Sequence, residues 1–326
     1  MLWDQPSIHA CLAAFLVASA IMPSAANAET RYVRADLTTG ANNGTSWANA
    51  FRGTLALQAA LAVASPGDEI WVAHGTYRTG SVGARTVSFQ LASGVAIFGG
   101  FTGAEDQLNQ RDPINNPTIL SGDLAANGNL SPNQADNAFH VVKAASVSPD
   151  AILDGFTISG GVTDCCSPAQ ANGAGLQITG GAPTIRNCRF EQNDADSFGG
   201  DISITDSSPL IDSCTFTGTS AARWGLGIYH IGTSAATVRN CQFIGTPPTT
   251  GGASGAGIYT GATSAAGITV EDCRFSIRVR DFTCTSGVGI MVWTNARATI
   301  RRCDFIDNIT CGGGGAIYNT GIATID

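Results

Sequence analysis

One phrase recurs through the second half of the chain: an aliphatic residue, a charged residue, a variable residue, then Cys-x-Phe. It reads Ile185-Arg186-Asn187-Cys188-Arg189-Phe190, Ile211-Asp212-Ser213-Cys214-Thr215-Phe216 and Val238-Arg239-Asn240-Cys241-Gln242-Phe243. It returns as Val270-Glu271-Asp272-Cys273-Arg274-Phe275 and Ile300-Arg301-Arg302-Cys303-Asp304-Phe305. A degenerate form precedes them at Leu153-Asp154-Gly155-Phe156-Thr157-Ile158, and Ile325-Asp326 begins another. The cysteines stand 26, 27, 32 and 30 residues apart. Repeats of that length, written in short β-type phrases, cannot bury an apolar face singly and must stack into a solenoid.

A second phrase alternates with the first. It runs Gly173-Ala174-Gly175-Leu176-Gln177-Ile178, Gly199-Gly200-Asp201-Ile202-Ser203-Ile204 and Gly225-Leu226-Gly227-Ile228-Tyr229-His230. It continues as Gly255-Ala256-Gly257-Ile258-Tyr259-Thr260, Gly287-Val288-Gly289-Ile290-Met291-Val292 and Gly314-Gly315-Ala316-Ile317-Tyr318-Asn319. Each coil therefore predicts at least two short strands whose aliphatic residues point inward by two-residue alternation. The variable lengths fall between the phenylalanine and the glycine phrase, so loops such as 246–254 are expected along one side of the rod.

Alternation places the charged residue of the first phrase outside. In coil order these residues are Asp154, Arg186, Asp212, Arg239, Glu271, Arg301 and Asp326, and the sign changes at every step. Parallel in-register stacking would set each charge about 4.8 Å from an opposite one above and below. An exposed pair contributes at most about 1 kcal/mol, so the row reads as a register device: a coil paired with its second neighbour would meet its own sign.

The 326 residues include 40 glycines and only 13% charged side chains, which suits short strands and tight turns better than helices. The net charge of −8 argues against nucleic acid, whose binding needs a basic face. Lys143 is the only lysine among 17 basic residues. Residues 10–21 are apolar but too short to span a bilayer, and Ala26-Asn27-Ala28 is a small-x-small cleavage site. Residues 1–28 thus read as a secretory signal, although Asp4 and the absence of Lys or Arg make its leading segment poor. No other segment reads as a transmembrane helix.

Cleavage would remove Cys11 and leave nine cysteines. Five occupy the repeat, where parallel side chains at a spacing of about 4.8 Å do not match the Cβ separation of about 3.8 Å that a disulfide requires. They read as a ladder of small buried hydrophobes. Cys284 and Cys311, each three residues before a glycine-led strand on adjacent coils, are the disulfide candidates. Cys165-Cys166 is a vicinal pair with no evident partner, and no CxxC or HxxxH spacing points to zinc.

Ahead of the repeats, residues 54–64 read as a helix ended by Pro66-Gly67, followed by strands at 69–73, 87–91, 95–98, 118–121 and 138–143. An apolar helix there would cover the open end of a solenoid. The expected organisation is one domain over 29–326: an N-terminal cap at 29–68, irregular coils at 69–150 and regular repeats at 151–326. The expected fold is an all-β, right-handed parallel β-helix of about ten coils with an N-terminal capping helix. Because Ile325-Asp326 opens a coil, the rod is expected to continue or to associate end-to-end, with a basic residue next in the charged row.

The chain resembles bacterial secreted right-handed parallel β-helix proteins of the pectin-lyase-like class. The residues that carry this are Gly44-Thr45-Ser46-Trp47, Leu57-Gln58-Ala59-Ala60-Leu61 and Pro66-Gly67-Asp68-Glu69-Ile70-Trp71-Val72-Ala73-His74-Gly75-Thr76-Tyr77. Phe98-Gly99-Gly100-Phe101 and Asn116-Pro117-Thr118-Ile119-Leu120-Ser121-Gly122-Asp123 look like large bacterial surface proteins. Gly314-Gly315-Ala316-Ile317, Phe190-Glu191-Gln192-Asn193 and Phe305-Ile306-Asp307-Asn308 resemble the GGAI and FxxN motifs of chlamydial-type polymorphic outer-membrane proteins. The other coils depart from FxxN. The resemblance implies a secreted or cell-surface protein, and it specifies core and turns more than activity.

For polysaccharide lyases of this fold, the resemblance implies Ca²⁺ held by clustered carboxylates and a proton abstracted by Arg or Lys. The nearest candidates are Asp194, Asp196 and Asp201, with Arg223 from the next coil. The stretch lacks the third oxygen ligand and the closing Glu of a Ca²⁺ loop and reads rather as an acidic surface loop. Ca²⁺ belongs to the lyase reading alone, and no other cofactor or metal is expected. Lys143 is a further candidate base, without an acidic companion in its coil. The glycine-phrase strand offers an outward row of Gln177, Ser203, Tyr229, Tyr259, Met291 and Tyr318, flanked by Trp224 and Trp293. Such a ridge can stack sugars, or it can steady the strand ladder by side-chain packing. The expected function is non-catalytic, adhesin-like binding of a polysaccharide or surface protein through Tyr229, Tyr259, Tyr318, Trp224 and Trp293. The alternative is an extracellular lyase or glycoside hydrolase acting on acidic polysaccharide.

Overall fold

A computed structural model describes residues 28–128, 134–164, 171–217, 220–221, 224–233, 235–245, 257–261, 267–278, 287–309 and 313–326. Three sheets of parallel strands wrap these residues into a β-helix. Sheet I stacks Thr30–Arg34, Glu69–Ala73, Ala96–Phe101, Ile152–Asp154, Thr184–Arg186, Leu210–Asp212, Ala236–Arg239, Ile268–Glu271, Arg297–Arg301 and Ile322–Ile325, with Phe51–Arg52 at its edge. Sheet II runs from Gly75–Arg78 to Asp304–Phe305, and sheet III from Phe89–Gln90 to Ile317–Asn319. Eight strands in each of sheets II and III span about seven turns, so the solenoid is shorter than the ten coils expected. Sheet I has more rungs than the other two, and its first and last strands close no three-sheet turn.

Each phrase lands on its counterpart one turn away. Ile185 pairs with Leu153 on one side and Ile211 on the other. Arg239 pairs with Asp212 and Glu271, and Glu271 with Arg301. The variable residue of the phrase makes the corner between sheets I and II. Asn187, Ser213, Asn240, Asp272 and Arg302 all adopt a positive φ, between 48° and 55°. Short polar side chains tolerate this left-handed region better than bulky ones, which explains the Asn, Ser and Asp there. Arg302 is the exception, and its guanidinium is held by Asp272 at 2.7 Å.

Inside, Phe190, Phe216, Phe243, Phe275 and Phe305 stack face to face with centroids 4.5 to 5.2 Å apart. This stack accounts for the second glycine of the other phrase. A Cβ on Gly257 would lie 2.5 Å from the Gly289 carbonyl and 2.9 Å from the Phe275 ring. Cys188, Cys214, Cys241 and Cys273 are buried free thiols beside the stack, and Cys303 is half-buried. Burial pushes the Cys214 thiol well above its ordinary value, which favours the neutral hydrophobe over a reactive thiolate. Cys165, Cys166, Cys284 and Cys311 lie outside the described residues.

The charged row closes in couples. Arg186 meets Asp154 at 2.6 Å, Arg239 meets Asp212 at 2.8 Å and Arg301 approaches Asp326 at 3.6 Å. Glu271 is approached instead by Arg302, at 3.5 Å. One member departs from the expected exposure. Asp154 is fully buried, because Arg111 from the preceding loop pairs with it at 2.7 Å and Asn187 donates to it at 2.9 Å.

The helix spans Ala56–Val63, and its Ala56, Leu57 and Ala60 join the core shared with Val33 and Ile70. Gln58 donates to the carbonyls of Thr79 and Ser88, at 2.6 and 3.2 Å, satisfying acceptors at the end of the rod. The strand expected at 138–143 begins later, at Val142–Val147. The apolar residues Ala138 and Val141 are buried but turn a corner, where Val141 donates to the Ala174 carbonyl. No described helix is long and apolar enough to cross a membrane.

Candidate functional site

The outward face of sheet III carries one continuous row of side chains set by strand register. Gln90 neighbours Lys143, Lys143 neighbours Gln177, and Gln177 neighbours Ser203. The row goes on through Tyr229, Tyr259, Met291 and Tyr318. Its first four members are polar, and the last four are aromatic or apolar. At about 4.8 Å per rung, the five steps from Lys143 to Met291 cover about 24 Å.

The aromatic half is not the open ridge expected from alternation. Tyr229 is 7% exposed, and Tyr259 and Met291 are 3% exposed. A second layer covers them. Phe198 and Trp224 occupy a short ladder beside sheet III, linked by parallel bridges from Asn172 to Phe198 to Trp224. Each ring leans one coil forward: Phe198 stacks on Tyr229 at 4.6 Å and Trp224 on Tyr259 at 5.0 Å. Trp293 extends the layer 5.8 Å from Trp224 and is itself 41% exposed. Burial raises the Tyr229 hydroxyl, and Tyr259 is raised by burial and by the neighbouring Tyr229. Both phenols are neutral at physiological pH. The tyrosines thus form a floor, and the surface a ligand would meet is Trp224, Trp293 and the partly buried Phe198.

At the polar end, Lys143 is half-buried. Burial pulls its ammonium below the usual lysine range, and among the described residues no carboxylate pairs with it. A charge partly removed from water without a partner is costly, which marks the position as a functional candidate. The misplaced strand boundary concealed its membership of this row in the sequence. Phe198 was missed as well, because the loop before the glycine phrase shows no periodicity.

The acidic candidates do not converge. Asp194 and Asp196 flank the buried Ala195 and point away from the core, but Asp201 is fully buried. It occupies the position that Gly227 holds one coil later, and its carboxylate accepts from Asn193 Nδ2 at 2.9 Å. Asn193 is also fully buried, donating to the Ile158 carbonyl and accepting from Gly161. The expectation of an outward Asp201 fails because the corner opens into the core, as the phenylalanine contacts of the later glycines show. Among the described residues no three His, Cys, Asp or Glu side chains stand within reach of one metal ion. Arg223 lies outside the described residues. His230 is buried and shares a hydrogen bond of 3.1 Å with the Thr260 hydroxyl.

Comparison with family models agrees with the architecture. Residues 148–305 match the family described as a right handed beta helix region. A crystal structure of a pectin methylesterase variant in complex with a hexasaccharide overlaps 76% of this chain and 73% of its own, at 12% identity and a TM-score of 0.38. No match was found among curated protein sequences.

Proposed function

We propose that this chain is a secreted or cell-surface glycan-binding β-helix that holds a polysaccharide along the outward face of sheet III without cleaving it. The observation that carries the reading is the two-part strip. An indole 41% exposed, Trp293, stands at one end on a packed aromatic floor. Lys143, half-buried and without a carboxylate partner among the described residues, stands toward the other. Sugar rings stack on aromatic faces through their C–H surfaces, while amides such as those of Gln90 and Gln177 serve their hydroxyl groups. Lys143 would receive an acidic group of the chain. Export is supported by the apolar segment at 10–21 and the Ala26-Asn27-Ala28 site.

The test is a binding screen of the whole protein against neutral and acidic polysaccharides, with ultraviolet detection of unsaturated products with and without Ca²⁺. Binding without product is expected, and formation of product would overturn the non-catalytic reading. Lys143→Met should weaken acidic polysaccharides and spare neutral ones. Because burial lowers the Lys143 pKa, the acidic preference should fade with rising pH before the ordinary lysine value of about 10.4 is reached.

A further inference from the structure

A different concavity lies on the opposite side of the rod, between the 102–117 loop and the corner joining sheets I and II. It encloses about 660 Å³, a volume typical of small-ligand sites. The loop wall carries Leu108, Pro113, Ile114 and Pro117, with Asn109 and an Arg111 already paired to Asp154 among them. Ile114 is 89% exposed, more than any other large hydrophobic side chain among the described residues. The ring that lines the cleft, Phe156, is 2% exposed, so the aliphatic side chains opposite complement an aliphatic chain better than a sugar or a base.

The facing wall is polar and set by register. Thr157, Arg189 and Thr215 are direct neighbours on three adjacent strands of sheet II, presenting hydroxyl, guanidinium and hydroxyl in a line. Arg189 is half exposed and, among the described residues, is bound by Glu191 alone, at 2.7 Å, an exposed pair that another carboxylate can displace. The loop is held in place before any ligand arrives. Arg111 pairs with Asp154 at 2.7 Å and donates to the carbonyls of Gly99 and Asp154, at 3.1 and 3.3 Å. Gly155 stands where later coils carry Asn187 and Ser213. A Cβ there would fall 2.5 Å from the Arg111 guanidinium and 2.9 Å from Pro113. The substitution of glycine at this one corner is what lets the loop close down and build the wall.

We infer that this cleft binds an aliphatic carboxylate, with its chain against Ile114 and Pro113 and its carboxylate on Arg189 between the two threonine hydroxyls. The same chemistry is offered by a free medium-chain fatty acid and by a peptide that ends in aliphatic residues. Calorimetric titration of the full chain with octanoate, and with N-acetyl-Ala-Val-Leu bearing a free C-terminus, separates these sources. Octanamide and the C-terminally amidated peptide are the controls. At least one carboxylate probe should bind and its amide should not, and Ile114→Asp and Arg189→Gln should each weaken binding about tenfold or more. Both side chains are exposed, so circular dichroism and thermal midpoints should stay at the parent values. No binding by either carboxylate, equal binding of the amides, or binding indifferent to both substitutions would overturn the assignment.

Discussion

Two aromatic stacks run along this rod, one inside and one outside, and they are built differently. The inner phenylalanine stack is nearly coplanar, with interplanar angles of 2° to 7°. The outer group of Phe198, Trp224, Tyr229, Tyr259 and Trp293 is looser, with angles of 11° to 37° and centroids 4.6 to 6.4 Å apart. The inner rings sit at one repeat position on consecutive strands, so register alone aligns them. The outer group draws rings from two rows, and one row leans across a coil boundary to cover the other. Phe190, Phe216, Phe243 and Phe275 are buried and Phe305, at the end of the stack, is partly so, whereas Trp293 is 41% exposed. The same chemistry serves cohesion in one place and, under the proposed reading, recognition in the other.

Truncation should separate the stacks most sharply. Phe243→Ala removes a fully buried ring between two others and should cost about 3–5 kcal/mol, read as a lower denaturant midpoint. Trp293→Ala should change stability by only about 0.5 kcal/mol, as expected for a surface position, yet weaken polysaccharide binding about tenfold. A large loss of stability at Trp293, or unchanged binding, would make the outer stack merely a second core.

Smaller effects sharpen the contrast between buried and exposed polar groups. Asp201→Ala leaves the buried Asn193 donor without this acceptor and should cost about 1–3 kcal/mol, with polysaccharide binding unchanged. Loss of binding in a folded Asp201→Ala protein would bring the acidic cluster back as a site. The smallest effect concerns the charged row. Burial works to raise the Asp212 carboxyl, but Arg239, Asn240 and Ser213 outweigh it and hold the group below the usual range. A depressed carboxylate contributes stability that is present above the unfolded pKa of about 3.9 and disappears as pH falls through the folded value. Asp212→Asn should therefore cost at most about 1 kcal/mol at pH 7, and unfolding curves of the two proteins should converge in strong acid.

Much of the fold was legible in the sequence because a parallel solenoid repeats its environment at every turn. The inward Ile185, Ile211 and Val238, the buried cysteines and the alternating charges were all assignable from spacing. The coil count was less legible, since the first and last strands of sheet I complete no turn. The candidate site was legible only in part. Tyr229 and Tyr259 were correctly placed on the outward face, but alternation says which side of a sheet a residue occupies and nothing about what lies above it.

What the sequence determined by itself is the set of inward rows and the register between coils, because both follow from local period and like-on-like stacking. What only the tertiary structure decided is which outward residues remain outside. Asp154 is buried by a loop that begins some 50 residues earlier, at 102. Tyr229 is covered by Phe198 of the preceding coil, and Asp201 is drawn in by Asn193. Exposure depends on segments distant in the chain, which local periodicity does not encode.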